Sequence, residues 1–172
     1  NPKWIIGFSD ITVLHQRLHR MGIPSIHGTM PLNFKENTNE ALITLIDAFC
    51  GRPYQIASNA NKYNLPGEAT GKLIGGNLAI LYSLLGTDDQ PDYQDAILFV
   101  EEVGEPLYSI DRMFYSLKKA DVLHKIKGLI VGGMTSLKDS EAPFGKSVEE
   151  IILSHTKVLR IPICFDFPAG HI

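Results

Sequence analysis

The chain of 172 residues is poor in cysteine and tryptophan, with two of the first and one of the second, and it has no run of apolar residues long enough to span a membrane. Two thiols cannot build a disulfide framework, and neither Cys50 nor Cys164 has a second Cys or a His at zinc-ligand spacing. Both sit among apolar neighbours and are expected to be buried free thiols. A spanning helix needs about 20 apolar residues, and the N-terminus also lacks the basic-then-apolar order of a signal peptide. Neither sign of charge dominates: 16 Lys and Arg stand against 19 Asp and Glu, giving a net charge of -3, with the two signs interspersed. This excludes a basic face for nucleic acid and a polybasic membrane patch, and leaves small polar or peptide-like partners. Internal repeats and low-complexity tracts are absent as well. The chain opens on Asn1 without a methionine and stops straight after a strand-like run, so both ends are expected to be cut from a longer protein.

What is present is a 44% hydrophobic, 20% charged composition that can bury a core. Short apolar runs bounded by Gly or Pro alternate with segments of helical period, which predicts a mixed α/β protein. Strands are expected at about 3–8, 24–27, 54–57, 96–101, 128–133 and 161–167, and helices at about 10–21, 36–49, 77–85, 109–120 and 146–155. In the first helix Ile11, Leu14 and Leu18 share one stripe, which predicts an ordinary core-facing helix closed by Gly22. The polar, turn-rich stretch "ASNANKYNLPGEATG" has no period of either kind and reads as a linker. The expected division is therefore residues 1–60 as the remainder of one α/β domain, 61–70 as linker, and 71–172 as a second domain.

Several residues could carry chemistry. "GFSD" places Ser9 where a strand turns into a helix, so that its hydroxyl is lifted from the sheet beside the free N–H groups of the first helical turn. The same residue type is also a favoured N-cap, and the second glycine of the G-x-S-x-G elbow is missing, so both roles stay open. A nucleophilic serine needs a base, and the base an orienting partner. Among the six histidines, His15 and His19 are four apart on one helix without the Glu of a zinc motif, and read as surface or interface residues. His124 and His155 lie near helix ends, where the dipole accounts for them. His27 in "SIHG" and His171 in "FPAGH" end apolar runs, the strand-end position at which α/β proteins place sites. In "AILFVEEVGEPLYSIDRMF" a nearly all-apolar strand runs into Glu101, which could hold an imidazole in one tautomer; alternatively Glu101, Glu102 and Glu105 are solvated loop charges or partners of Arg112. "GKLIGGNLAIL" lacks the spacing of a phosphate loop, and close backbone packing before a helix capped by Asn77 is the better reading.

In order, "IGFSDIT", "HGTMP", "GKLIGGNL", "LFVEEVGEPLYSIDRM" and "FPAGH" resemble the LD-carboxypeptidase family, the serine peptidases of the muramoyltetrapeptide carboxypeptidase type, over essentially the whole chain. The resemblance implies Ser9 as nucleophile, His171 as its base, Glu101 as the residue that orients the ring, and the backbone N–H of Asp10 as an oxyanion donor. It implies no metal and no cofactor. For the fold it implies the C-terminal part of a flavodoxin-like α/β domain followed by a mixed, β-rich C-terminal domain, with the site in the cleft between them. Most of the first domain, including a glycine-rich segment with a second oxyanion donor, and the strands after His171 would then lie outside this chain. The implied function is release of the terminal D-alanine from murein tetrapeptide in cell-wall recycling, by a cytoplasmic homodimer acting on murein peptide. Relatives that give immunity to peptidyl-nucleotide antibiotics offer a second substrate, and a noncatalytic peptide-binding module a third reading. The Tyr-x-Ile-Asp-Arg segment, Tyr108 to Arg112, resembles the recycling branch.

Overall fold

The alternation of apolar runs and helical segments yields two parallel sheets in a computed structural model that describes residues 3–172. The first sheet is a pair, β1 (Ile6–Gly7) and β2 (Ile26–His27), linked by a 3-10 turn at Ser9–Ile11 and helix α1 (Thr12–Arg20). Helix α2 (Asn39–Phe49) follows, its first turn capped by the Thr38 hydroxyl. The second sheet has the order β3 (Leu73–Asn77), β4 (Ile97–Val103), β5 (Gly128–Thr135), β6 (Ile163–Cys164), every pair parallel. Parallel neighbours require crossovers, and these are α3 (Leu78–Ser83), α4 (Leu107–Lys119) with α5 (Val122–Lys125), and α6 (Val148–Thr156). The protein is thus mixed α/β with parallel sheets. Among the described residues no helix is long and apolar enough to cross a membrane.

The core lies where the helices cover one face of the second sheet. Leu98 and Val100 of β4 are fully buried together with Leu78, Leu81, Ile110, Phe114, Leu117, Ile151 and Ile152 from those helices. Because side chains alternate along a strand, Phe99 and Glu101 point to the opposite face, where His27, Phe167 and His171 meet them.

Four local expectations are corrected. Residues 54–57 form no strand; Tyr54 and Ile56 are exposed in irregular chain. The glycine-rich segment after Lys72, where no strand is expected, is strand β3, while its close backbone packing and the cap that follows are as expected, with Asn77 Oδ1 accepting Ile80 N–H at 3.2 Å. The stripe of Ile11, Leu14 and Leu18 does not face a core: Leu14 is 50% exposed, and α1 buries Thr12, His15 and Gln16 instead. The surface it packs on is the backbone of a glycine strand, whose polar groups need polar partners. Finally, Cys50 is exposed at the end of α2, a helix that buries none of its residues, and Cys164 is half-buried on β6 with its Sγ 3.1 Å from Ser58 Oγ.

Candidate active site

Glu101 is fully buried at the end of β4, beside Asn77 of β3. The chain segment that closes over it can do so because residue 170 is glycine: φ is +98°, and a Cβ there would lie 2.5 Å from that of Glu101. His171 then presents two donors to one oxygen. Its backbone N–H reaches Glu101 Oε2 at 3.1 Å and its Nδ1 at 2.7 Å. A carboxylate only accepts, so Nδ1 carries the proton and the lone pair of a neutral ring sits on Nε2, away from the carboxylate. The other carboxylate oxygen, Oε1, is buried without a partner.

The segment carrying His171 is fastened to β5. Phe167 N–H donates to the Val131 carbonyl at 3.0 Å and Gly133 N–H to that of Ala169 at 2.9 Å. Thr135 Oγ1 donates to the His171 carbonyl at 2.8 Å. The strand is irregular here: the pairing of β4 with β5 shifts between Val100 and Glu102, and Gly132 and Gly133 allow the close approach that a Cβ would block.

Ser9 opens the 3-10 turn after β1 with φ +65°, in the left-handed region that a residue with a Cβ enters at a cost of about 1 kcal/mol. Capping does not explain it, since the cap position belongs to Phe8 and no side-chain cap bond is made at that turn. The ring of Phe8 meets the His171 ring edge-on, with centroids 5.0 Å apart. Among the described residues no hydrogen bond joins Ser9 Oγ to His171, whose side chain and N–H both bond Glu101. The N–H of Asp10 belongs to the first turn, where no intrahelical partner is available.

The remaining candidates separate clearly. Glu101 and Glu102 are not solvated loop charges: both lie in β4, 0% and 3% exposed, on opposite faces of the sheet. His15 is not a surface residue. It is buried, with Nε2 at 2.9 Å from the Gly7 carbonyl and Nδ1 at 2.8 Å from Ser25 Oγ. His19 is half-buried, and burial followed by the nearby Lys72 charge lowers its pKa. His155 does more than meet a dipole: it bonds Asp111 at 2.8 Å and stacks on Phe114. His27 lies against Phe99 with both ring nitrogens buried and unpartnered, and its pKa is pushed down to about 4 by burial first and then by His15 and His171. Reasoning from sequence overlooked Thr135 and the partners of Glu102. The only signal for the latter was period-two alternation, which puts adjacent acids on different faces.

The chain resembles known proteins along essentially its whole length. The family model of the LD-carboxypeptidase C-terminal domain matches residues 70–172, and that of the LD-carboxypeptidase N-terminal domain matches residues 1–28. The chain belongs to the LD-carboxypeptidase family. It is 35% identical over 173 residues to a Synechocystis protein named as a carboxypeptidase, covering 99% of this chain and 56% of that protein. To the murein tetrapeptide carboxypeptidase of Pseudomonas aeruginosa it is 29% identical over 185 residues, covering 99% of this chain and 58% of the relative. Its structure resembles the muramoyltetrapeptide carboxypeptidase of Oxalobacter formigenes with a TM-score of 0.86 at 28% identity, over 99% of this chain and 59% of the other. MccF in complex with glutamyl sulfamoyl guanosine shares the fold, at a TM-score of 0.74 and 22% identity over 97% of this chain and 59% of that one. The chain thus spans somewhat more than half the length of these relatives.

Proposed function

We propose that the protein is a serine-type LD-carboxypeptidase that releases the terminal D-alanine of murein tetrapeptide in cell-wall recycling. The observation that carries this reading is the buried Glu101 carboxylate holding Nδ1 of His171 at 2.7 Å, with the Phe8 ring, one residue before the strained Ser9, packed on the imidazole. In the proposed reaction Ser9 Oγ attacks the carbonyl carbon between the L-centre and D-alanine while His171 Nε2 takes the hydroxyl proton. Glu101 holds the tautomer and stabilises the imidazolium. The tetrahedral oxyanion faces the Asp10 N–H. His171 returns the proton to the departing amine, D-alanine leaves, and water activated by the same ring hydrolyses the acyl-enzyme. A hydrogen bond between nucleophile and base that forms only when substrate binds is normal for such sites. The reading extends to a homodimer working in the cytoplasm, which is supported by family resemblance and checked by sedimentation and fractionation.

The test uses the full-length protein. Ser9→Ala is expected to lower D-alanine release from murein tetrapeptide by about 10⁴-fold or more and to abolish labelling by a fluorophosphonate. Release at the normal rate would overturn the mechanism. An aminoacyl sulfamoyl nucleoside assayed beside the tetrapeptide separates the immunity-type substrate, and absence of turnover and labelling in the unsubstituted protein would indicate a binding module.

A further inference from the structure

Four buried polar side chains outside the proposed catalytic set connect the helix that follows Ser9 to the strand that carries Glu101. Thr12 is fully buried, and Gln16, Glu102 and Asn77 are 2%, 3% and 7% exposed. Thr12 opens α1, three residues after Ser9. Its Oγ1 accepts the Asn77 backbone N–H at 3.0 Å, and one turn further Gln16 Nε2 donates to the Gly75 carbonyl at 2.8 Å. Asn77 stands beside Glu101 in the register of β3 and β4, and its Nδ2 donates to Glu102 Oε1 at 2.9 Å. Glu102 accepts two further backbone N–H groups, that of Ala79 at 2.8 Å and its own neighbour Val103 at 2.9 Å. Glycine at 76 is what admits the helix, since a Cβ there would lie 2.4 Å from Thr12 Oγ1.

An apolar seam would hold α1 to the sheet without specifying where along the strand it sits, because hydrophobic attraction has no direction. Hydrogen bonds do have one, and buried polar groups are costly unless each finds its partner at the right place. A seam built from Thr12 and Gln16 is therefore a poor choice for adhesion and a good one for register. Placement has a large effect in catalysis: an error of about 1 Å at a reacting group costs about 100-fold in rate.

We infer that Thr12, Gln16, Asn77 and Glu102 form a clasp that sets the position of Ser9 relative to the Glu101 and His171 pair, with Thr12 and Gln16 as positioning residues. This inference rests on the reading of those three groups as nucleophile, orienting acid and base. Neither Thr12 nor Gln16 supplies a proton or a charge to the reaction; each acts through the backbone it fixes.

The experiment uses the full-length protein, with a fluorophosphonate as probe of Ser9 and murein tetrapeptide as substrate. Thr12→Val keeps the volume and removes the acceptor for Asn77 N–H. It is expected to slow phosphonylation and kcat by about ten- to a hundredfold, with KM within about twofold and the pH profile unmoved. The Asn77 amide should lose protection from hydrogen exchange in Thr12→Val, and Thr12→Ser should restore both rate and protection. Gln16→Met, which removes one hydrogen bond at similar volume, should act in the same direction and settles the matter if Thr12→Val does not fold. Normal phosphonylation in whichever of the two variants folds, measured below its unfolding temperature, overturns the clasp. Failure of the reading beneath it looks different: the unsubstituted protein would not be labelled at Ser9, and the inference would fall with it.

Discussion

Replacing His27 by phenylalanine removes a buried titratable group while keeping a planar ring against Phe99. In the native protein the ring centroid lies 5.1 Å from that of Phe99 and 6.1 Å from that of His15, and neither nitrogen has a hydrogen-bond partner. Burial first, then the charges His15 and His171 would carry, bring its pKa from 6.5 to about 4. In the unfolded chain the same ring titrates near 6.5. As pH falls below that value the unfolded state binds a proton that the folded state refuses, so the contribution is whole above about pH 7 and is lost as pH drops toward 4. With these two values the loss is about 2 kcal/mol at pH 5 and about 3 kcal/mol at pH 4. For a domain of this size, 2 kcal/mol lowers Tm by about 4–8 °C. Urea unfolding of both proteins at pH 7.5 and pH 5 isolates the term, because the carboxylates protonate in both alike. The His27→Phe protein is expected to lose about 2 kcal/mol less than the unsubstituted one over that interval. Equal losses in the two proteins would show that His27 is protonated in the fold and would refute the argument.

Other outcomes follow from the same structure. Glu101→Gln preserves shape but replaces an obligate acceptor with an amide that tolerates either imidazole tautomer, and should lower kcat for D-alanine release by about 10³- to 10⁴-fold; an unchanged rate would remove Glu101 from the proposed mechanism. Gly75→Ala would set a Cβ 1.8 Å from the Phe99 carbonyl oxygen, backbone against backbone, and should cost 3 kcal/mol or more in urea unfolding, roughly, whereas Gly22→Ala, with φ +72° and nothing within 4 Å, should cost about 1 kcal/mol. Glu102→Ala strands the donors of Asn77, Ala79 and Val103, and a loss of about 3–5 kcal/mol is expected in the same assay.

Where local chemistry suffices, the sequence announces its structure. The run Ile97 to Val100 is apolar on both faces because both are covered, one by α3 and α4 and the other by Phe167 and His27, and such a run reads directly as a central parallel strand. The capping box at Ser147 and Glu150 starts α6 close to where its pattern places it. Strand β3 was hidden by its own composition, since three of its five residues are Gly or Asn, which strands disfavour. It is a strand because the backbone must pass within reach of Phe99, 24 positions from Gly75, and of Thr12, 64 positions from Gly76, a demand invisible locally. The contact of Glu101 with His171 spans 70 positions. No pattern in either neighbourhood encodes it, and only the order of the family motifs pointed to it.

Helix α1 shows the limit most sharply. Periodicity says which residues share a face, and Ile11, Leu14 and Leu18 do; it does not say which face meets the rest of the molecule. The usual rule chooses the apolar one because the usual partner is apolar. Here the partner is the backbone of Gly75 and Gly76, with no side chains to cover it, and the Asn77 N–H beyond, so Thr12 and Gln16 are buried and Leu14 is left 50% exposed. A polar helix face facing inward is therefore a sign of a neighbour made of bare backbone, and the glycine pair at 75 and 76 was the written trace of that neighbour. Reading the two segments together, polar stripe and glycine strand, would have predicted the seam that either one alone conceals.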